Sequence, residues 1–184
     1  LTRFDEAVAK DPAGIAPVIG DAKTKIALER LADAKTQLTA ARVRAPKDMS
    51  LALWLGKAEE ALGNKAVAEK LYGDAVDLSD PQNPDAIQAY AAYASFLASQ
   101  GKPSEAQAKL DQAKTKLPDS ATLQRAFGDA AASQGHFDEA LAHYQDALQK
   151  NPNDLGTRFR LGVTYRHMNN IDQATKEFDQ IVAV

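Results

Sequence analysis

Residues 128–152 read GDAAASQGHFDEALAHYQDALQKNP, and this stretch decides the fold. Apolar residues recur at i, i+3, i+4 and i+7 on either side of Gly135, the spacing of two amphipathic helices. A glycine between them suits the left-handed conformation that ends a helix, at almost no steric cost. Asn151-Pro152 closes the second helix, because proline has no N–H to donate and biases its predecessor away from helix. The spacing predicts a first helix over Ala121–Gln134 and a second over Phe137–Lys150.

Working outward, the pattern returns at a fixed interval. Ala140 has counterparts 34 residues away at Ala106 and Ala174, and Ala34 precedes Ala68 by the same step. From Ala68 to Ala106 the step is 38, and the surplus falls in the loop-like stretch SDPQNPD. Gly101 and Gly135 keep register, as do Pro118 and Pro152, and Gly63 sits at the equivalent place one repeat earlier. Self-similarity at such a period marks stacked supersecondary units that share one core. Strand-like alternation is absent, so the predicted fold class is all-α.

Small residues say how these helices approach. Gly56, Ala94, Gly128 and Gly162 recur in first helices; Ala68, Ala106, Ala140 and Ala174 recur in second helices. Larger neighbours fill the remaining space: Leu55, Tyr93, Phe127 and Leu161 from first helices, Tyr72, Leu110, Tyr144 and Phe178 from second helices.

These residues resemble the tetratricopeptide repeat. AFGDAAASQGHFDEALAHYQDALQKNP (126–152) matches its signature at Gly128, Gly135, Ala140, Tyr144 and Pro152. RLGVTYRHMNNIDQATKEFDQI (160–181) matches again, with Asn169 in place of the turn glycine. AYASFLASQGKPSEAQAKLDQAKTKLP (92–118) and LWLGKAEEALGNKAVAEKLYGDAVDL (53–78) match less fully but keep the small residues. The resemblance implies a right-handed α-solenoid of stacked antiparallel helix pairs. It divides the chain into an imperfect repeat region over 1–48 and repeats over 49–86, 87–120, 121–154 and 155–184, the last truncated, together one solenoid domain.

Several positions depart from the pattern. Residues 13–46 keep Ala22, Ala34, Leu38, Ala41 and Pro46, but Asp21 and Lys25 stand where apolar residues are expected and Glu29 replaces the turn glycine. Phe4, Ala7 and Pro12 fall in register as the tail of a preceding repeat. Glu59 occupies an apolar position, and Ile181 stands where alanine belongs.

Tandem helix pairs curve and so form an extended binding surface. The resemblance implies that first helices line the inner groove. On that implication the groove presents Leu53, Lys57 and Glu60, then Gln88, Ala91, Ser95 and Ser99. Next come Thr122, Arg125, Asp129 and Ser133, then Phe159, Val163, Arg166 and His167. Around 88–99 the floor is mostly Ala and Ser and leaves room for a bulky guest. From 125 to 167 it gains Arg125, Arg166, Phe159 and Val163, a mixture suited to an acidic, partly apolar peptide, since arginine presents a planar fork to carboxylates. One branch of the family grips chaperone tails by their terminal carboxylate, and its positions read Leu53, Lys57, Ala92, Thr122 and Ala126 here, so that set is absent.

Composition excludes other classes. The net charge is −3 and the clearest basic cluster, Arg42, Arg44 and Lys47, is short, so nucleic acid is not the expected partner. No cysteine is present, which removes disulfides, thiolate nucleophiles and cysteine metal sites and fits any compartment. His136 and His143 lie seven residues apart, about two helical turns, and His167 belongs to another repeat, so no zinc pair forms. There is no phosphate-binding glycine loop or nucleophile elbow; no catalytic residue, metal or cofactor is expected. Trp54 reads as burial against the preceding repeat rather than as a binding hot spot.

No apolar run reaches the ~18 residues of a membrane span. The chain opens at Leu1 and stops inside DQIVAV, as a piece of a longer protein would, leaving room for a leader or anchor outside it. The expected function is non-enzymatic protein binding within a multi-protein bacterial assembly such as secretion, pilus, motility or polysaccharide export machinery. The alternative is a structural module that self-assembles through its solenoid ends.

Overall fold

The computed structural model describes residues 14–83, 85–117 and 119–182, and these form ten helices and no strand. Phe4, Ala7, Pro12 and Pro118, each given a place in the repeat above, lie outside the described residues. The helices follow in pairs. They are α1 (Ile15–Ala27) and α2 (Leu31–Arg44), α3 (Met49–Ala61) and α4 (Lys65–Asp77), α5 (Ala86–Ser99) and α6 (Pro103–Lys116). The last four are α7 (Ala121–Ser133) and α8 (Phe137–Lys150), then α9 (Leu155–His167) and α10 (Ile171–Val182).

In the pairs α3–α4 and α7–α8, and at the start of α9, first and second helices begin differently. Carboxylate or hydroxyl caps open the first helices α3, α7 and α9, where Asp48, Ser120 and Asp154 accept from the backbone N–H groups of Leu51, Leu123 and Thr157; α1 starts at Gly14 without one. Such caps satisfy donors that have no partner within the helix. Second helices α2, α4, α6 and α8 start without a side-chain cap and follow a tight left-handed turn instead. Gly63, Gly101 and Gly135 have φ between 75° and 80° at that turn. Where the glycine is replaced the turn persists, with Glu29 at φ 58° and Asn169 at φ 59°.

The chain divides into two compact units, Leu1–Ala92 and Tyr93–Val184. In the first, α1 packs on α2 and α3, and α3 on α4. Its core gathers Val18, Ala22, Leu38, Ala41, Leu51 and Leu55, with Trp54 packed against it. Both polar departures are buried and partnered. Asp21, 1% exposed, accepts from Lys25, which also donates to Gln37; the other Asp21 oxygen has no partner. Glu59 pairs with Lys35 at 2.9 Å and accepts from Asn64 at 2.7 Å. Burial opposes the charge of Glu59, but those two donors outweigh it and hold its carboxyl below the usual range.

In the second unit each helix from α6 to α10 packs on the next, and α7 also touches α9. Gly128 and Gly162 in first helices mark close approach to rings. A Cβ on Gly128 would lie 2.5 Å from Tyr144 Cε1, and one on Gly162 would lie 2.6 Å from Phe178 Cε1. Within the first unit, Gly56 faces Tyr72 in the same way at 3.1 Å. Each pair is separated by 16 residues, as are Ala22 and Leu38 in the first core, and Ala94 and Leu110. Glycine is matched with a ring and alanine with leucine.

Candidate functional site

Helices α7 and α9 lie side by side, and two ion pairs of opposite sense join them. Arg125 of α7 meets Asp154, the cap of α9, at 2.9 Å, while Asp129 of α7 meets Arg160 of α9 at 2.7 Å. Burial works against the charge on Asp154, but hydrogen bonds from the Thr157 hydroxyl and backbone, with the Arg125 charge, hold its carboxyl below the usual range. Asp129 also accepts from the Tyr144 hydroxyl of α8 at 2.8 Å. Burial, followed by the Asp129 charge, pushes the Tyr144 phenol well above its ordinary range. The three helices are thus tied through one carboxylate.

Beside these links lies a cavity of about 340 Å³. Ala132 and Ser133 end α7 on one side, Phe137 and Tyr144 of α8 form the back, and α9 contributes Phe159, Arg160, Val163, Thr164 and His167. The His167 ring stacks on Phe137, with centroids 5.5 Å apart and planes within 3°. Phe159 leans against Phe178 at 5.8 Å yet remains 54% exposed.

Among the residues expected to line a groove, the structure brings Phe159, Val163, His167 and Ser133 together around this cavity. Arg166 is exposed nearby on α9. Arg125 and Asp129 are half-buried and committed to α9, so they set helix spacing rather than stand open. Thr122 is half-buried on α7; Gln88 and Ser95 are exposed and Ala91 half-buried on α5.

Leu53 requires correction. It is 1% exposed and buried in the interior, because α3 carries a wider apolar face than the repeat pattern suggested. Lys57 instead lies over the Trp54 ring at 4.2 Å, with Lys23 at 4.7 Å from the same ring.

The sequence pattern assigns no role to Arg160, and it presents Phe137 only as the start of a second helix and Tyr144 only as a packing residue. Arg160 was legible as the residue facing Asp129 across neighbouring first helices, but only once their register is known. His136 lies 3.6 Å from Glu139, and His143 bonds Gln124 and stacks on Phe127. Among the described residues there is no group of three or more metal-ligating side chains, and no helix is long and apolar enough to cross a membrane.

One family model for the tetratricopeptide repeat matches residues 21–85 and 94–155, and a second matches 131–184. Comparison with curated proteins gives no match. Among solved structures, a thermophilic TPR protein of Thermus thermophilus, TTC0263, is similar at 26% identity and a TM-score of 0.77, over 89% of this chain and 87% of that one. YrrB, described as a TPR protein with an unusual peptide-binding site, gives 18% identity and 0.54, over 98% and 91%. MamA of Desulfovibrio magneticus, from residue 41 to its end, gives 16% and 0.58, over 94% of both chains. With the helix order described above, these matches establish an all-α helical repeat solenoid.

Proposed function

This chain belongs to the tetratricopeptide repeat family, and from that premise we propose that it is a non-enzymatic scaffold that holds a segment of a partner protein against its first helices. The observation that carries this reading is Phe159, left 54% exposed on α9 at the mouth of a cavity. Its equivalents 34 and 68 residues earlier are Arg125 and Ala91, so the stacking of repeats does not demand a ring there. An acidic, partly apolar partner suits the exposed Arg166 beside that apolar surface. The likeness to a TPR protein of Thermus thermophilus of similar length favours a scaffold of bacterial type.

Crosslinking capture followed by identification of the bound protein tests the reading. Phe159→Ser with Arg166→Glu is expected to abolish capture while helicity by circular dichroism stays unchanged. Arg125 is a poorer choice for that test, because its loss would also loosen α7 from α9. Unchanged capture by the double variant would remove this surface from consideration.

A second reading, self-association through α10, is favoured by Ile171 and Val182, which are 54% and 85% exposed. Mass measured by light scattering would then rise with concentration and fall back when Ile171 and Val182 are made Asp.

A further inference from the structure

We propose that the cavity between α7, α8 and α9 is an anchor pocket, which takes one bulky apolar side chain from a partner segment whose neighbouring residue is Asp or Glu. The proposal rests on the scaffold reading above and adds the chemistry of the guest. Apolar walls come from Phe137, Phe159 and Val163, with the buried Tyr144 ring behind. At about 340 Å³ the space sits at the small end of the ~300–1,000 Å³ of ligand sites. It therefore suits a side chain and not a second element of structure.

The walls are held before any guest arrives. Tyr144 is fixed by its bond to Asp129, and His167 is stacked almost parallel on Phe137. A preformed site loses less freedom on binding, which favours a defined anchor over a loose apolar contact.

Charge selects what flanks that anchor. The lining includes the guanidinium of Arg160 and the imidazole of His167, and no carboxylate. Of the carboxylates on α7 and α8, Asp129 is engaged by Arg160 and Tyr144, Glu139 faces His136 and His143, Asp146 faces Lys150, and Asp138 is exposed outside the lining. Phe159, Val163 and Arg166 follow at i, i+4 and i+7, one face of α9, so a guest seated on the first two passes the third. Arg166 makes no ion pair among the described residues and is open to a carboxylate.

The repeat pattern does not prescribe these residue types. One period earlier the equivalents of Phe159, Val163, Arg166 and His167 are Arg125, Asp129, Ala132 and Ser133. First and second helices pair with either set, so the repeat itself does not prescribe the apolar and cationic character of the later set.

Selection of random peptides displayed on phage against the whole chain, repeated on Val163→Trp and Arg166→Glu, tests the inference. Enriched peptides are expected to share a Leu, Ile, Phe or Trp beside Asp or Glu. Binding of a fluorescein-labelled representative should weaken about tenfold or more when its apolar residue becomes Ala, and again when Trp fills the pocket. On Arg166→Glu the acidic preference should vanish or turn basic; this exposed position decides the matter should Val163→Trp unfold. Enriched peptides that lack the apolar–acidic pair and ignore both variants overturn the anchor pocket but leave the scaffold reading standing. No enrichment on the parent chain overturns both.

Discussion

The helix pair α1–α2 and the pair α7–α8 satisfy one architecture with different residues. In α1 the small residue is Ala22 and its counterpart 16 positions on is Leu38; in α7 and α8 they are Gly128 and Tyr144. Where α7 places Phe127, α1 buries Asp21 with Lys25 beside it. Where the later turn uses Gly135 at φ 78°, the earlier one holds Glu29 at φ 58°. The difference teaches that the repeat constrains volume, dihedral and polar pairing, and that residue identity is free within those limits. Interiors packed near crystal density tolerate exchanges that conserve volume far better than those that do not.

The sharpest way to break the comparison is at Asp21. Lys25→Met leaves a carboxylate that is 1% exposed without its ammonium partner. Removing one member of a buried pair costs about 3–5 kcal/mol, and chemical denaturation should show a loss of that order. Converting both, Asp21→Leu with Lys25→Met, restores the apolar residue that Leu55, Phe127 and Leu161 supply elsewhere. That double variant should be as stable as the parent or more so, by up to about 4 kcal/mol. A silent Lys25→Met would mean that this cation does not hold Asp21 in place.

Next in size is the matched volume between small residue and ring. Gly128→Ala puts a Cβ 2.5 Å from Tyr144 Cε1 and 2.7 Å from Cδ1, so the ring must move. Overpacking of this kind costs about 1–3 kcal/mol, set against a gain of about 1 kcal/mol from replacing a helical glycine. Gly128→Ala with Tyr144→Leu recreates the Ala22 and Leu38 combination. The double variant should lose less than the sum of the two single losses, a coupling measurable in a double-mutant cycle. Strict additivity would break the volume rule, and the pair Gly162 and Phe178 offers an independent repetition.

The fold was legible because its signals are local and periodic. Gly135, Ala140, Tyr144 and Pro152 each state a steric need that few other residues meet, and the 34-residue step repeats them. Surface assignment was less legible, since the same spacing that identifies a first helix does not say how far round it burial extends. Leu53 fell on the wrong side of that line, whereas Phe159, its equivalent three repeats later, stayed exposed. Ion pairs between neighbouring helices were hidden altogether. Arg125 with Asp154 and Asp129 with Arg160 are 29 and 31 residues apart, spacings that no single helix reveals. Charge that looked free for a guest was engaged in aligning α7 with α9.

The smallest expected effect isolates the turn itself. A Cβ on Gly135 would meet nothing within 4 Å, so Gly135→Ala is opposed by its left-handed φ of 78° alone. Glu29 is exposed and already bears that strain at φ 58°. Exchanging Gly135 for Ala should therefore destabilise and exchanging Glu29 for Gly should stabilise, each by roughly 0.5–1 kcal/mol once the greater freedom of glycine in the unfolded chain is subtracted. Asn169 at φ 59° should fall between them, because asparagine tolerates this region better than other side chains. Thermal melts of Glu29→Gly, Asn169→Gly and Gly135→Ala are expected to rank in that order, gain, smaller gain, loss. A loss from Glu29→Gly would show that its side chain stabilises the first helix pair by some contact beyond the backbone, and the two turns would then no longer be equivalent.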